Sequence, residues 1–291
     1  AASAGAPPGD PHRIGLDEGR TVADVLAEIV AHTRRQVEQA KLAVPVDQLT
    51  SDPGYLLPRR NCFGAVAAPR LGGPNLIVEL GEVGAPSVPP HPAPNAEVMA
   101  RQAEAAGACA VSLNVAPSGL GDRVARVGEV KAAVGLPVLR GDWLIDAYQL
   151  HESRAAGADA VAFIADALEP PETVALVETA RRLELTVLLV LHERRRARAT
   201  LAAVADRVSG GVLAGLSNRD PRTWAVDLAV TETLAPAVPP GMPIVAMHGL
   251  RTRADIQRMH AAGARAVLMG DVLTAATNLG NAVRALFGRP R

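Results

Sequence analysis

Residues able to move protons or grip an anion stand at the ends of short apolar runs. Glu79 sits in LIVEL, His192 closes TVLLVLH, Arg219 follows VLAGLSN, His248 closes IVAMH and Asp271 closes AVLMGD. A carboxyl set in apolar surroundings holds its proton more tightly and suits acid–base work. Histidine titrates near neutrality, and arginine clamps a phosphate or carboxylate. Glu79 and His248 are therefore the expected catalytic pair. Asn114, Asp142, Trp143, His192, Ser217, Arg219, Gly249, Gly270 and Asp271 are the expected ligand contacts. Trp143 would supply an aromatic wall, and the backbone near Gly249 and Gly270 could receive a phosphate. Each assignment has a structural counterpart. Glu79 could be a hydrogen-bonded carboxylate, His192 a packing residue, and His248 a polar rim. Asp142 could fix its loop, Arg219 could pair with Asp220 or Asp142, and Trp143 could pack a loop. Glu79, Asp166, His192, His248 and Asp271 carry metal-ligand atoms, but on separate runs and without HxH or HxxE spacing. No metal is expected.

The runs that carry these residues are regular. Strands are predicted at 76–80, 109–115, 137–142, 160–166, 186–192, 212–218, 244–248 and 266–271, each a buried type of apolar run with a polar residue or glycine at its end. Helical segments separate them, among them NAEVMARQAEAAG and TRADIQRMHAAG, the second opened by Thr252 as an N-cap. The motif AGA-x-AV recurs at 106–111, 156–161 and 262–267. Its offsets of 50 and 106 residues match two and four βα units of about 25 residues each. Its glycine suits a left-handed helix cap. An open doubly wound sheet would carry a Gly-rich phosphate loop after its first strand, whereas GEVGAPSVPP is broken by proline. The fold class expected is α/β, a (β/α)8 barrel. A helix over 22–44, followed by the turn SDPG and a Gly/Pro/Arg-rich stretch, forms an N-terminal extension over 21–74 within a single barrel domain, 21–291.

The 30 basic and 30 acidic residues balance, which gives no electrostatic reason to expect nucleic acid or an anionic membrane. Two cysteines cannot build a disulfide framework, so the chain reads as cytoplasmic. No apolar run approaches the ~20 residues of a membrane span. Residues 1–20 read as a flexible leader, not a signal peptide. The Pro-rich loop 81–96 is expected to be stiff and extended, and the Gly-rich loop after the second strand mobile. Only Lys41 and Lys131 are lysines, against 28 arginines.

The segments LPVLRGDWLIDAYQLHESRAAGADAV and LSNRDPRTWAVDLAVTETLAP, with the helix at 22–44, resemble the indole-3-glycerol-phosphate synthase family from about residue 22 onward. That family closes an indole ring on a carboxyphenylamino-deoxyribulose phosphate, with loss of carbon dioxide and water. The resemblance implies a first-strand glutamate at Glu79 and an arginine at Arg219. It also places glycines at 81 and 141 where the family has lysines. Val190 stands for a glutamate, Ser217 for an asparagine, and Met247-His248-Gly249 for Glu-Ser-Gly. Each lost acid–base group typically costs about 10²- to 10⁴-fold. Arginine cannot replace lysine as a proton donor, its pKa exceeding about 12.

The function expected is therefore that of a divergent synthase-like enzyme, closing or rearranging a ring on an aromatic or indole-like intermediate of specialised metabolism. Two alternatives stay open: a non-catalytic barrel that binds a ligand or partner, and a genuine synthase with unorthodox catalytic residues. The expected ligand is a small aromatic molecule, phosphorylated or not. No cofactor, nucleic acid or membrane partner is expected, and the protein would be a monomer or weak homodimer.

Overall fold

Each predicted apolar run becomes one strand of a closed parallel barrel ordered β1 to β8. The computed structural model describes residues 22–68, 72–80, 95–114, 122–207, 210–221 and 223–288. The leader at 1–20, most of the Pro-rich loop at 81–94 and most of the Gly-rich loop at 115–121 lie outside them. The strands are β1 (Asn75–Leu80), β2 (Ala110–Leu113), β3 (Val138–Arg140), β4 (Ala160–Ile164), β5 (Thr186–Leu191), β6 (Val212–Ser217), β7 (Ile244–Met247) and β8 (Ala264–Met269). Prediction carries several strands too far at their C-terminal ends. Residues 165–167 form a 3₁₀ turn, because a barrel strand stops pairing where its loop turns outward.

Ahead of the barrel lie α1 (Val22–Ala43), α2 (Val46–Thr50), α3 (Pro53–Leu56) and α4 (Cys62–Ala67). The last three fall in the stretch read as turn and loop. At four to six residues they are too short to show a 3.6-residue period. Asp52 and Asn61 nonetheless cap α3 and α4 by accepting hydrogen bonds from Gly54 N and Gly64 N. Cys62 and Val66 of α4 pack with Ile77, Ala110 and Ala266, one cluster with the apolar side chains inside the barrel. This helix thus closes the N-terminal end.

Around the barrel run α5 (Ala96–Ala105), α6 (Asp122–Ala133), α7 (Ala147–Ala155), α8 (Pro170–Arg182), α9 (Arg194–Val204), α10 (Ala229–Leu234), α11 (Arg253–Ala261), α12 (Asp271–Thr274) and α13 (Leu279–Phe287). Gly107, Gly157 and Gly263, the glycines of the repeated motif, have φ of 78°, 90° and 100° directly after α5, α7 and α11. A side chain there would be strained, so the motif is a helix stop. Thr252 caps α11 with Asp255 in a reciprocal capping box. Two larger apolar clusters seal the strands against the helices on opposite sides of the barrel. No helix among the described residues is long and apolar enough to cross a membrane.

Candidate active site

Alternation along a strand sends every second residue into the barrel. Above the apolar plug this brings Glu79, Ser112, Gly141, Val190, Ser217 and Met247 to the C-terminal mouth, where (β/α)8 barrels hold their sites. Met247 is 5% exposed, and its sulfur fills the space beside Gly215, where an added Cβ would lie 2.7 Å from Sδ. Val190, also buried, adds a second apolar side chain to this part of the mouth.

β1 and β2 pair with Glu79 opposite Ser112. One residue past β2, Asn114 Nδ2 donates to Glu79 Oε1 at 2.9 Å. Glu79 is 6% exposed. Burial raises its pKa above the usual carboxylate value; the Asn114 amide opposes this, Asp271 adds to it, and Arg219 opposes it. The carboxyl therefore keeps its proton to higher pH than an exposed glutamate.

Ser217 is the hub of the β6 and β7 ends. Its hydroxyl donates to Arg219 O at 2.8 Å and meets His248 Nδ1 at 3.0 Å. A hydroxyl has one proton to give, so His248 must donate through Nδ1, leaving Nε2 as the acceptor nitrogen. Burial, then Arg219 and His192, lower the His248 pKa to about 3, so the ring is neutral across the physiological range. His248 also has φ of 62°, a left-handed backbone rare outside glycine. Such strain persists where surrounding contacts impose it. Here Asn218 Nδ2 donates to the His248 carbonyl at 3.3 Å, and Val226 packs over the adjacent Gly249.

Arg219 lies between two partners. Nη2 bonds Asp271 Oδ2 at 2.8 Å, and the guanidinium lies 5.4 Å from the centre of the Trp224 ring. The pairing expected with Asp220 or Asp142 is not the one formed. The aromatic residue beside Arg219 is Trp224, not Trp143. Trp143 is half-buried at the end of β3, its carbonyl accepting from Gln149 Nε2 at 3.2 Å. Asp142 turns outward to Arg140 Nε at 2.8 Å, and Arg140 also binds Glu152 at 2.7 Å. His192 Nδ1 donates to Ser217 O at 2.8 Å, while its Nε2 stands 3.9 Å from Asp220. Gly270 precedes α12 and Asp271 begins it.

The mouth thus gathers Glu79, Asn114, Ser217, Arg219, His248 and Asp271, with His192 behind Ser217. It does not gather Asp142. Asn218, fully buried and not singled out in the sequence, braces the site's backbone: its Oδ1 accepts from Thr231 N and Oγ1 while its amide holds the β7 end. Trp224 was not singled out either. The pairing of Asn218 with residues 13 and 30 positions away leaves no local pattern to find. Among the described residues no cluster of three or more His, Cys, Asp or Glu could hold a metal ion.

Neither lysine enters this space. Lys41 Nζ bonds Glu38 and Asp146 at 2.9 Å each, on the outer helices. Lys131 Nζ is paired with the buried Asp159 at the opposite end of the barrel.

Solved structures with the same fold include orotidine 5'-phosphate decarboxylase from Pyrococcus horikoshii, at TM-score 0.54 and 16% identity over 72% of this chain and 97% of that one. The tryptophan synthase complex of Pyrococcus furiosus matches at TM-score 0.53 and 13% identity, over 75% and 98%. At such identities the likeness concerns the fold alone. Sequence relatives are closer. The indole-3-glycerol phosphate synthase of Rhodospirillum rubrum is 34% identical over 92% of this chain and all of its own length. That of Syntrophobacter fumaroxidans is 32% identical over 92% of this chain and 98% of its own. The family model for indole-3-glycerol phosphate synthase matches residues 26–286. With a barrel of the required topology and a match that spans both the N-terminal helices and all eight strands, the chain belongs to the indole-3-glycerol phosphate synthase family.

Proposed function

We propose that this protein is a lyase of the indole-3-glycerol phosphate synthase type, closing a ring on a small phosphorylated aryl-amino sugar with Glu79 and His248 as its proton-transfer groups. The observation that carries the reading is the buried carboxyl of Glu79 at the end of β1, held by Asn114 and biased toward its protonated form. The end-to-end match with relatives named for that activity supports it.

In this reading Glu79 gives its proton to the substrate carbonyl oxygen as the aryl carbon bonds to the carbonyl carbon. The aryl carboxylate leaves as carbon dioxide, which restores the aromatic ring. His248 Nε2 then takes a proton from the methylene carbon beside the ring nitrogen as the indole double bond forms, and the new hydroxyl departs as water with that proton. Protons return to Glu79 through solvent. Arg219 meets the anionic end of the substrate in exchange for Asp271, and Trp143 and Trp224 offer ring faces to it.

A second reading is favoured by a specific observation. Bare glycine at 141, with Val190 and Met247 pointing inward, leaves the mouth short of the ammonium and carboxylate groups that the resemblance places there. A site so depleted suits a ring closure or rearrangement on a different aromatic intermediate, as in specialised metabolism.

One assay separates the readings. Purified protein is given the carboxyphenylamino-deoxyribulose phosphate, and indole fluorescence and carbon dioxide release are followed. Product formation that falls at least ~100-fold in E79Q supports the first reading. Tight binding of that substrate without product supports a non-catalytic binder. Neither product nor binding turns the search to other aromatic substrates.

A further inference from the structure

We propose that Asn114 is a positioning residue for Glu79, and that it can act only because position 141 carries no side chain. The inference rests on the reading of Glu79 as the proton-transfer group and adds how that group is aimed.

The amide nitrogen of Asn114 is a donor only, so Glu79 Oε1, 2.9 Å away, must accept. In the protonated carboxyl the proton then resides on Oε2, the oxygen that this bond leaves unoccupied. The other end of the same amide occupies the space in front of Gly141. A Cβ built there would lie 2.3 Å from Asn114 Oδ1 and 3.0 Å from Ser112 Oγ. The Gly141 backbone is not left-handed, since it is absent from the positive-φ glycines. What the glycine provides is room, not a special φ. Its N–H donates to Leu113 O at 3.0 Å, which locks the end of β3 beside the residue preceding Asn114. The bare position 141 and the amide at 114 are therefore one arrangement. A lysine at 141 would start its side chain inside the volume that the amide fills.

The charged groups acting on Glu79 come from two neighbouring elements. Asp271 at the start of α12 favours the protonated carboxyl, and Arg219 after β6 favours the ionised one. Ser112 on β2 and Gly141 after β3 are neutral, and Arg140 is directed onto Asp142 and Glu152. Because the Asn114 amide stabilises the ionised form, removing it moves the Glu79 midpoint to higher pH.

The test is infrared titration of the full chain, with the Glu79 carboxyl band identified by subtracting the E79Q spectrum. N114A should raise the midpoint by about one pH unit, the shift expected for one lost donor to a carboxylate. G141A should raise it similarly by displacing the amide, yet add nothing in the N114A background. N114T, whose hydroxyl is too short to reach the carboxyl, replaces N114A should the latter fail to fold. An unmoved midpoint in the Asn114 variants, or a G141A shift equal in both backgrounds, overturns the proposal. The titration needs no substrate, so its failure leaves the product assay of the proposed reaction standing, and the reverse.

Discussion

The two ends of this barrel treat buried charge in opposite ways. At the N-terminal end Asp159 is fully buried and saturated: Oδ1 accepts from Arg60 N at 2.7 Å and pairs with Lys131, and Oδ2 accepts from Val138 N at 3.0 Å. Arg60 reaches the carbonyls of Leu136 and Lys131, and Arg59 those of Arg154 and Ala158. At the C-terminal end, burial raises the pKa of Glu79 and lowers that of His248. His248 and Trp224 both hold left-handed backbone with φ of 62°, and one oxygen of Asp271 is buried without a hydrogen-bond partner. Strain and unmet capacity also occur at the N-terminal end, at Glu184 with φ of 57° and at Arg154 Nη1; what sets the C-terminal end apart is that there they accompany a buried carboxyl and a buried imidazole with shifted pKa, a combination suited to a ligand. Both lysines are bound to carboxylates outside the mouth, as braces and not as acids.

The contrast is broken or sharpened by four variants, the largest effect first. E79Q should reduce formation of the indole product about 10²- to 10⁴-fold while the thermal midpoint holds or rises, measured by kcat/KM and calorimetry. A loss of stability with unchanged turnover would reverse the roles of the two ends. D159A should do the opposite. It leaves Lys131 and the backbone N–H groups of Arg60 and Val138 without their buried acceptor, costing about 3–5 kcal/mol in denaturant unfolding with kcat of the folded fraction unchanged.

H248N should alter the pH dependence of stability. The folded-state pKa of His248 is depressed to about 3 from the ordinary value of 6.5, so between those values the unfolded chain binds the extra proton. The stability present above pH 6.5 is then lost progressively as pH falls toward 3. Asparagine tolerates the left-handed backbone and cannot titrate. H248N should therefore lose less stability than the parent on acidification from pH 7 to 4, and parallel curves would show that His248 is not buried neutral. W224L should have the smallest effect. It removes the ring beside Arg219, a contact of about 0.5–1 kcal/mol at a partly exposed site, and should raise KM for the phosphorylated substrate a few-fold with kcat retained. An unchanged KM would detach Trp224 from ligand binding.

Much of the scaffold was legible in the chain. Apolar runs marked all eight strands, and the AGA-x-AV repeat marked three helix ends with left-handed glycines. Thr252 announced the start of α11. The residues at the strand ends were correctly sought at one mouth. Less could be read of what each one touches. Asp142, expected as a ligand contact or as a brace of its loop, is held by Arg140, and the ring beside Arg219 is that of Trp224, which was not singled out. Short helices α2 to α4 were read as loop because a single turn shows no period.

By itself the amino-acid order determined strand number, helix stops and the absence of ammonium groups from the strand ends, because these depend on residues within a turn or two of one another. Closure of the barrel decided the rest. The pairing of Glu79 with Asn114, 35 residues apart, the tautomer of His248 and the space before Gly141 all follow from the register of neighbouring parallel strands. That register is set by packing over the whole circumference, and no local stretch of sequence encodes it.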